Sequence, residues 1–258
     1  MRNILLISFI SFGMLLSSFL PLSKRNYKIR KVVIDAGHGG KDPGCHGKSA
    51  KEAEVALKVA LEVGKLLATV EDVKVIYTRD KNEFIELHDR AGLANKNNAD
   101  LFISIHCNAG NPNAHGHETY TMGLHTSNGN LEVAKRENEV ILKEDNYLEK
   151  YDGFDPNSPI AHILFSNFQN AFLENSLQFA SKVESNLDNK AGNKSRGVKQ
   201  AGFLVLWKTT MPAALIEIGY LTNAEEEKFL MNKDNQHNIA QGIYHAFKEY
   251  KEQIEKSN

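Results

Sequence analysis

Apolar positions recur along this chain with two different periods. In "KEAEVALKVALEVGKLLATV" (51–70), Ala53, Ala56, Leu57, Ala60, Val63 and Leu67 share one face at helical spacing, which predicts an amphipathic helix. "VKVIYT" (73–78) is β-branched and aromatic, a strand, and "FIELHDRAGLANKNN" (84–98) is a second helix with Leu87, Ala91 and Ala94 facing inward. "KVVIDAGHGG" (31–40) runs from apolar-leaning positions into an acid, a histidine and three glycines. Glycine tolerates sharp turns and close approach, so Gly37, Gly39 and Gly40 predict a strand that stops abruptly with His38 at its tip. "ADLFISIHCNA" (99–109) is a buried strand ending on His106, and "HETYTM" (117–122) is a further strand. The segment 126–190 reads as helical, with a polar break at "YDGFDPNSP" (151–159). "GFLVLW" (202–207) and "AALIEIG" (213–219) read as strands, and "AEEEKFLMN" and "NIAQGIYHAFKEYKEQI" as closing helices.

Strands that alternate with helices predict a single α/β domain, a mostly parallel twisted sheet flanked by helices, here with a helical insert. Ligands of such sheets sit beyond the carboxyl ends of the strands. His38, His106 and Glu217 each end an apolar run, so the pattern gathers them at one edge.

Composition changes the picture in two places. A formal net charge of -1 over 258 residues gives no electrostatic case for a nucleic-acid partner. At the N-terminus, Arg2 precedes an uncharged apolar stretch from Asn3 to Ser23, followed by the basic "KRNYKIRK". Residues 1–24 therefore read as a signal peptide or a signal anchor, and 25–258 as the catalytic domain. The expected location is the periplasm or cell envelope, where Cys45 and Cys107 are free to pair as a disulfide.

Two histidines and a carboxylate at strand ends suit zinc, with a fourth position left for water. Glu52 and Glu54 both stand near the start of the helix after the His38 loop, and periodicity alone does not choose between them. Glu217 interrupts "ALIEIG", so its carboxylate needs a metal, a partner or a raised pKa, which suits a general base. The plainer alternative is a buried acid paired with Arg196.

"IDAGHGGKDPG", "KEAEVALKVA", "TRD", "DRAGLANKNNADLFISIHCNA" and "RGVKQAGFLVLWKTTMPAALIEIGYLTNAEEE" occur in that order. From about residue 31 to the C-terminus the chain resembles the zinc-dependent N-acetylmuramoyl-L-alanine amidases of the amidase-3 type. The resemblance implies hydrolysis of the amide between N-acetylmuramic acid and L-alanine in peptidoglycan, for cell-wall remodelling or daughter-cell separation. It implies one Zn2+ per chain on His38, Glu52 and His106, with Glu217 catalytic. Glu52 is favoured over Glu54 because the family's ligand stands just before the apolar part of the helix. Cys45 and Cys107 depart from the family's usual alanines, and could form a disulfide bracing the site or act as stray thiolate ligands. The segment 126–190 resembles the regulatory insert of cell-division amidases. There an inserted helix lends the zinc cleft a carboxylate until a protein activator removes it; Glu137 is the first candidate here and Glu139 the next. A zinc peptidase and a catalytically inert wall-binding module are the other classes the sequence leaves in view.

Overall fold

The computed structural model describes residues 28–124, 127–166 and 171–257. The expected signal segment, 1–24, lies outside the described residues, as does His125. Among the described residues no helix is long and apolar enough to cross a membrane.

Six strands form one sheet in the order β2-β1-β3-β6-β4-β5. They are β1 (Lys31–Ala36), β2 (Lys74–Tyr77), β3 (Leu101–Asn108), β4 (His117–Met122), β5 (Ser195–Ala201) and β6 (Ala213–Tyr220). Every pairing is parallel except β4 against β6. That one reversal matters for the site. It brings the beginning of β4, at Glu118, opposite the end of β6, at Glu217, while His106 of β3 is Glu217's partner on the other side.

Helices cover both faces. α1 (Glu52–Leu67) follows β1, and α2 (Leu87–Lys96) follows β2. The connection from β4 to β5 carries α3 (Asn128–Asn138), a 3-10 turn (Glu139–Lys143), α4 (Tyr147–Lys150), α5 (Pro159–Ser166) and α6 (Leu173–Ala191). A short α7 (Leu204–Trp207) precedes β6, and α8 (Ala224–Met231) and α9 (Lys233–Ser257) close the chain. One core joins Ile34, Ile103 and Ile216 to Val59 of α1, Phe179 of α6 and Phe247 of α9. The other joins Val33, Phe102 and Leu215 to Ala94 of α2, Ala134 of α3 and Leu204 of α7.

The sheet, its mostly parallel sense and the flanking helices follow the sequence expectation, with one correction. The expected strand at 202–207 is instead the helix α7, and the strand is the preceding "SRGVKQA". A continuous apolar run is compatible with burial as strand or helix. β5 lies at the sheet's edge and is mostly half-buried, so it lacks the apolar run that would have marked it.

Candidate metal centre

His38 sits just past β1 with φ 58, a left-handed conformation that a non-glycine residue rarely adopts. Two buried arginines hold the chain there. Arg90 donates to the carbonyls of Ala36 (2.8 Å) and His38 (2.9 Å), and Arg79 to those of Ala36 (2.9 Å) and Gly37 (2.6 Å). Gly37 is required by close approach, since a Cβ there would lie 2.4 Å from the His106 ring. Asp35, at the root of the loop, takes hydrogen bonds from Arg90 (2.9 Å), Thr78 (2.6 Å) and Ser104 (2.7 Å).

The His38 ring contacts Asp42 through Nδ1 at 2.6 Å, which leaves Nε2 to face inward. Nε2 lies 3.0 Å from Glu52 Oε1 and 3.1 Å from Glu137 Oε2. His106 Nδ1 stands at the same two distances from the same two oxygens, 3.0 and 3.1 Å. The four side chains offer ligand atoms within 4.8 Å of one another, and all four are buried. Glu52 is fixed by backbone donors: Cys107 N reaches Oε1 at 3.0 Å and Cys45 N reaches Oε2 at 2.8 Å. It enters from the first turn of α1, whereas Glu54 is exposed and outside the cluster.

The electrostatics are those of a cation site. Burial opposes charge on His106, yet its contacts with Glu137 and Glu52 outweigh burial and push it up to about 9. Burial likewise works against ionised Glu52, but His38 leads the opposing effects and holds it at about 2. His38 Nε2 and Glu137 Oε2 are buried without hydrogen-bond partners although they are close in space. Two imidazoles and two carboxylates converging on one point, with unpaired lone pairs, fit a divalent metal with nitrogen and oxygen ligands.

Glu217 stands beside this cluster, fully buried, with neither carboxylate oxygen hydrogen-bonded. Burial and the charges of Glu137 and Glu52 raise its carboxyl well above the usual range. Arg136, which precedes Glu137 on α3, comes within 3.9 Å of Glu217 Oε1 and donates to Asn108 Oδ1 (2.8 Å) and the Ala109 carbonyl (3.1 Å). Arg196 is not its partner; that guanidinium pairs with Glu118. A cavity of about 380 Å³ opens beside the cluster and is lined by His38, Asp42, Cys45, Glu52, Arg136 and Glu137. Glu139 also lines it but contributes no atom to the cluster.

The two cysteines are free thiols, so the expected disulfide is not formed. Cys45 Sγ instead donates to the Cys107 carbonyl at 3.2 Å, and neither sulfur belongs to the cluster. His117 contacts Glu184 within the fold, while His46 and His115 are exposed.

A sequence profile of N-acetylmuramoyl-L-alanine amidases, the Amidase_3 family, matches residues 32–249. The chain belongs to the Amidase_3 family. It is therefore a hydrolase, an N-acetylmuramoyl-L-alanine amidase, and its substrate is peptidoglycan. N-acetylmuramoyl-L-alanine amidase AmiA of Escherichia coli K12 is 32% identical over 225 residues, covering 86% of this chain and 76% of that one. Among solved structures, an N-acetylmuramoyl-L-alanine amidase from Clostridium difficile 630 is similar with TM-score 0.66 and 28% identity, covering 87% of this chain and 97% of that one. The catalytic domain of CwlV from Bacillus (Paenibacillus) polymyxa var. colistinus matches at TM-score 0.64 and 31% identity, over 86% of this chain and 97% of its own. Asp42, Arg79, Arg90 and Arg136 had no assigned part in the sequence reading of this amidase. For the two loop-bracing arginines the signal was present, because Arg79 stands in "TRD" and Arg90 in "DRAG", stretches that carry the family resemblance.

Proposed function

We propose that this amidase is zinc-dependent, with His38, Glu52 and His106 holding one Zn2+ per chain and Glu217 as general base. The observation that carries this reading is the buried cluster of ligand atoms within 4.8 Å, next to a carboxylate with both oxygens bare. Bound there, Zn2+ supplies Lewis-acid polarisation of a carbonyl and a lowered pKa for water. Glu217 accepts the proton of the attacking water and returns one to the departing L-alanine nitrogen. Asp42 orients His38, and the Cys45 and Cys107 amides orient Glu52, which keeps the donors aimed without rearrangement.

Glu137 supplies the reason for regulation. Its carboxylate takes the remaining place between the two histidines, and Arg136 covers Glu217 from the same helix. In this closed state α3 lies over the cluster and would keep substrate from it. A protein activator that binds the open state better shifts the population by that difference in affinity. A peptidoglycan substrate supports a location in the cell envelope or periplasm, and the proposal takes residues 1–24 as signal peptide or anchor and 25–258 as the catalytic domain, serving cell-wall remodelling or daughter-cell separation.

Metal analysis and product analysis on purified peptidoglycan test the reading together. Expected are about one zinc per chain and release of intact stem peptides. Glu217→Gln keeps zinc and loses roughly two to four orders of magnitude in rate. Glu52→Ala loses zinc, whereas Glu54→Ala does not. Glu137→Ala raises basal activity. Zinc loss in Glu217→Gln overturns the assignment of roles, and a wild-type enzyme unaffected by Glu137→Ala overturns the inhibitory one.

A further inference from the structure

Beyond Glu217, the same edge of the sheet continues into a charged arrangement that the chemistry above does not use. Glu118 is directly opposite Glu217 across the β4–β6 pair, so both side chains stand on one face. Lys199 of β5 is in register with Tyr120 of β4, which puts it on that face as well. Glu118 is 1% exposed, and its carboxylate gathers Asn108 Nδ2 (2.6 Å), Tyr120 Oη (2.7 Å), Arg196 Nε (2.9 Å), Tyr220 Oη (3.3 Å) and Lys199 Nζ.

Two cations therefore share one carboxylate. Among the described residues neither has a second acidic partner, so the group carries one positive charge in excess. Both remain partly open to solvent, with Arg196 34% and Lys199 23% exposed at the side chain. Their aromatic neighbours steady them: Arg196 lies 5.0 Å from the centre of the Tyr220 ring and Lys199 5.8 Å from that of Tyr120. These are anchored charges facing outward.

Their distance from the reacting bond follows from the sheet. Arg196 and Lys199 rise from β5, but their charged ends reach back to Glu118 on β4, the neighbour of β6 at about 4.8 Å, so the cations stand roughly 5–8 Å along the edge from the strand of Glu217. An extended peptide advances about 3.5 Å per residue. A side group on the second residue after the cut amide therefore reaches this distance. The two halves of the substrate differ in charge, since the N-acetylated glycan is neutral and the stem peptide carries carboxylates. The geometry points to Arg196 and Lys199, positioned by Glu118, as the subsite that receives a stem-peptide carboxylate and thereby sets which way the substrate lies across the cleft. This rests on the amidase reading of the site.

The test uses the Glu137→Ala enzyme and two synthetic muramoyl tripeptides. In one the second residue bears a free α-carboxylate; in the other it bears the carboxamide. The carboxylate substrate is expected to be favoured by about tenfold or more in kcat/KM, as a charge-assisted contact provides, chiefly through KM. Lys199→Gln and Arg196→Gln should each reduce that preference several-fold while the carboxamide substrate keeps its rate. Each single variant leaves Glu118 one cation, so no buried carboxylate is stranded. Equal rates for both substrates, or variants that lose both alike, overturn the proposal. Calorimetric binding of the two released peptides to Glu137→Ala/Glu217→Gln reads the same preference without turnover. Preserved preference with no hydrolysis by Glu137→Ala enzyme would count against the proposed catalysis alone, and peptides bound equally overturn the subsite.

Discussion

Asp35 is 0% exposed and would be costly to ionise without Arg90. Burial pushes its carboxyl upward, but Arg90, Thr78 and Ser104 outweigh that and hold it below the ordinary value of 3.8. The resulting stability is fully present above that value and is lost as pH falls through the lower folded-state pKa. Arg90→Met leaves the carboxylate buried without its cation and should cost about 3–5 kcal/mol at neutral pH. Its Asp35 carboxyl then rises, so the gap from wild type narrows as the solution is acidified toward pH about 3. Urea unfolding at several pH values measures this, and a gap that stays constant with pH would refute the pairing. At this scale the sequence was legible where chemistry demands a rare residue. His38, His106 and Glu217 are polar groups ending apolar runs, and the structure gathers them. Asp35 and Arg90 each stand in a recognisable motif, but their pairing was not legible, because it joins positions 55 apart.

Among the elements, the stretch from α3 to α5 behaves differently from the rest of its connection. α6 packs into the core shared with α1 and α9, while α3 lies over the cluster. Glu144 fastens this stretch to the body. Its Oε1 accepts Leu87 N, near the start of α2, at 3.0 Å, and its Oε2 accepts Tyr151 Oη at 2.7 Å. Tyr151 in turn accepts from His88 N at 3.0 Å. Glu144→Ala removes that fastening without touching the cluster, so it should raise basal hydrolysis several-fold in the direction of Glu137→Ala, with zinc content unchanged. Dye-release assays on labelled peptidoglycan show whether it does; unchanged activity would mean that α3 is held by its own contacts. Amphipathic helices such as α1 were plain in the sequence because their period is imposed by one buried face. The β5 edge escaped notice because an edge strand needs little apolar surface, and a contiguous run such as "FLVLW" carries no period to distinguish strand from helix.

For the whole molecule, the parallel order and two-sided packing were readable from alternating strands and helices, but the reversal of β4 was not. Strand direction is decided by contacts between distant segments rather than by a period in either. Cohesion depends on the face where α1, α6 and α9 meet the sheet. Phe247 of α9 is completely buried there, and Phe247→Ala should cost about 3–5 kcal/mol through the cavity it leaves. Thermal unfolding measures that loss, and a small effect would place α9 outside the cooperative unit. β4 and β5 are parallel neighbours, so some crossover between them is obligatory, and α6 provides it. The segment that covers the cluster is thus a lengthening of a connection the sheet already requires. Doubling the length of a flexible loop adds only about 0.6 kcal/mol of closure entropy. If α3 inhibits as proposed, a shutter inserted at this point costs the fold little stability, and shortening the same connection should yield a constitutive enzyme.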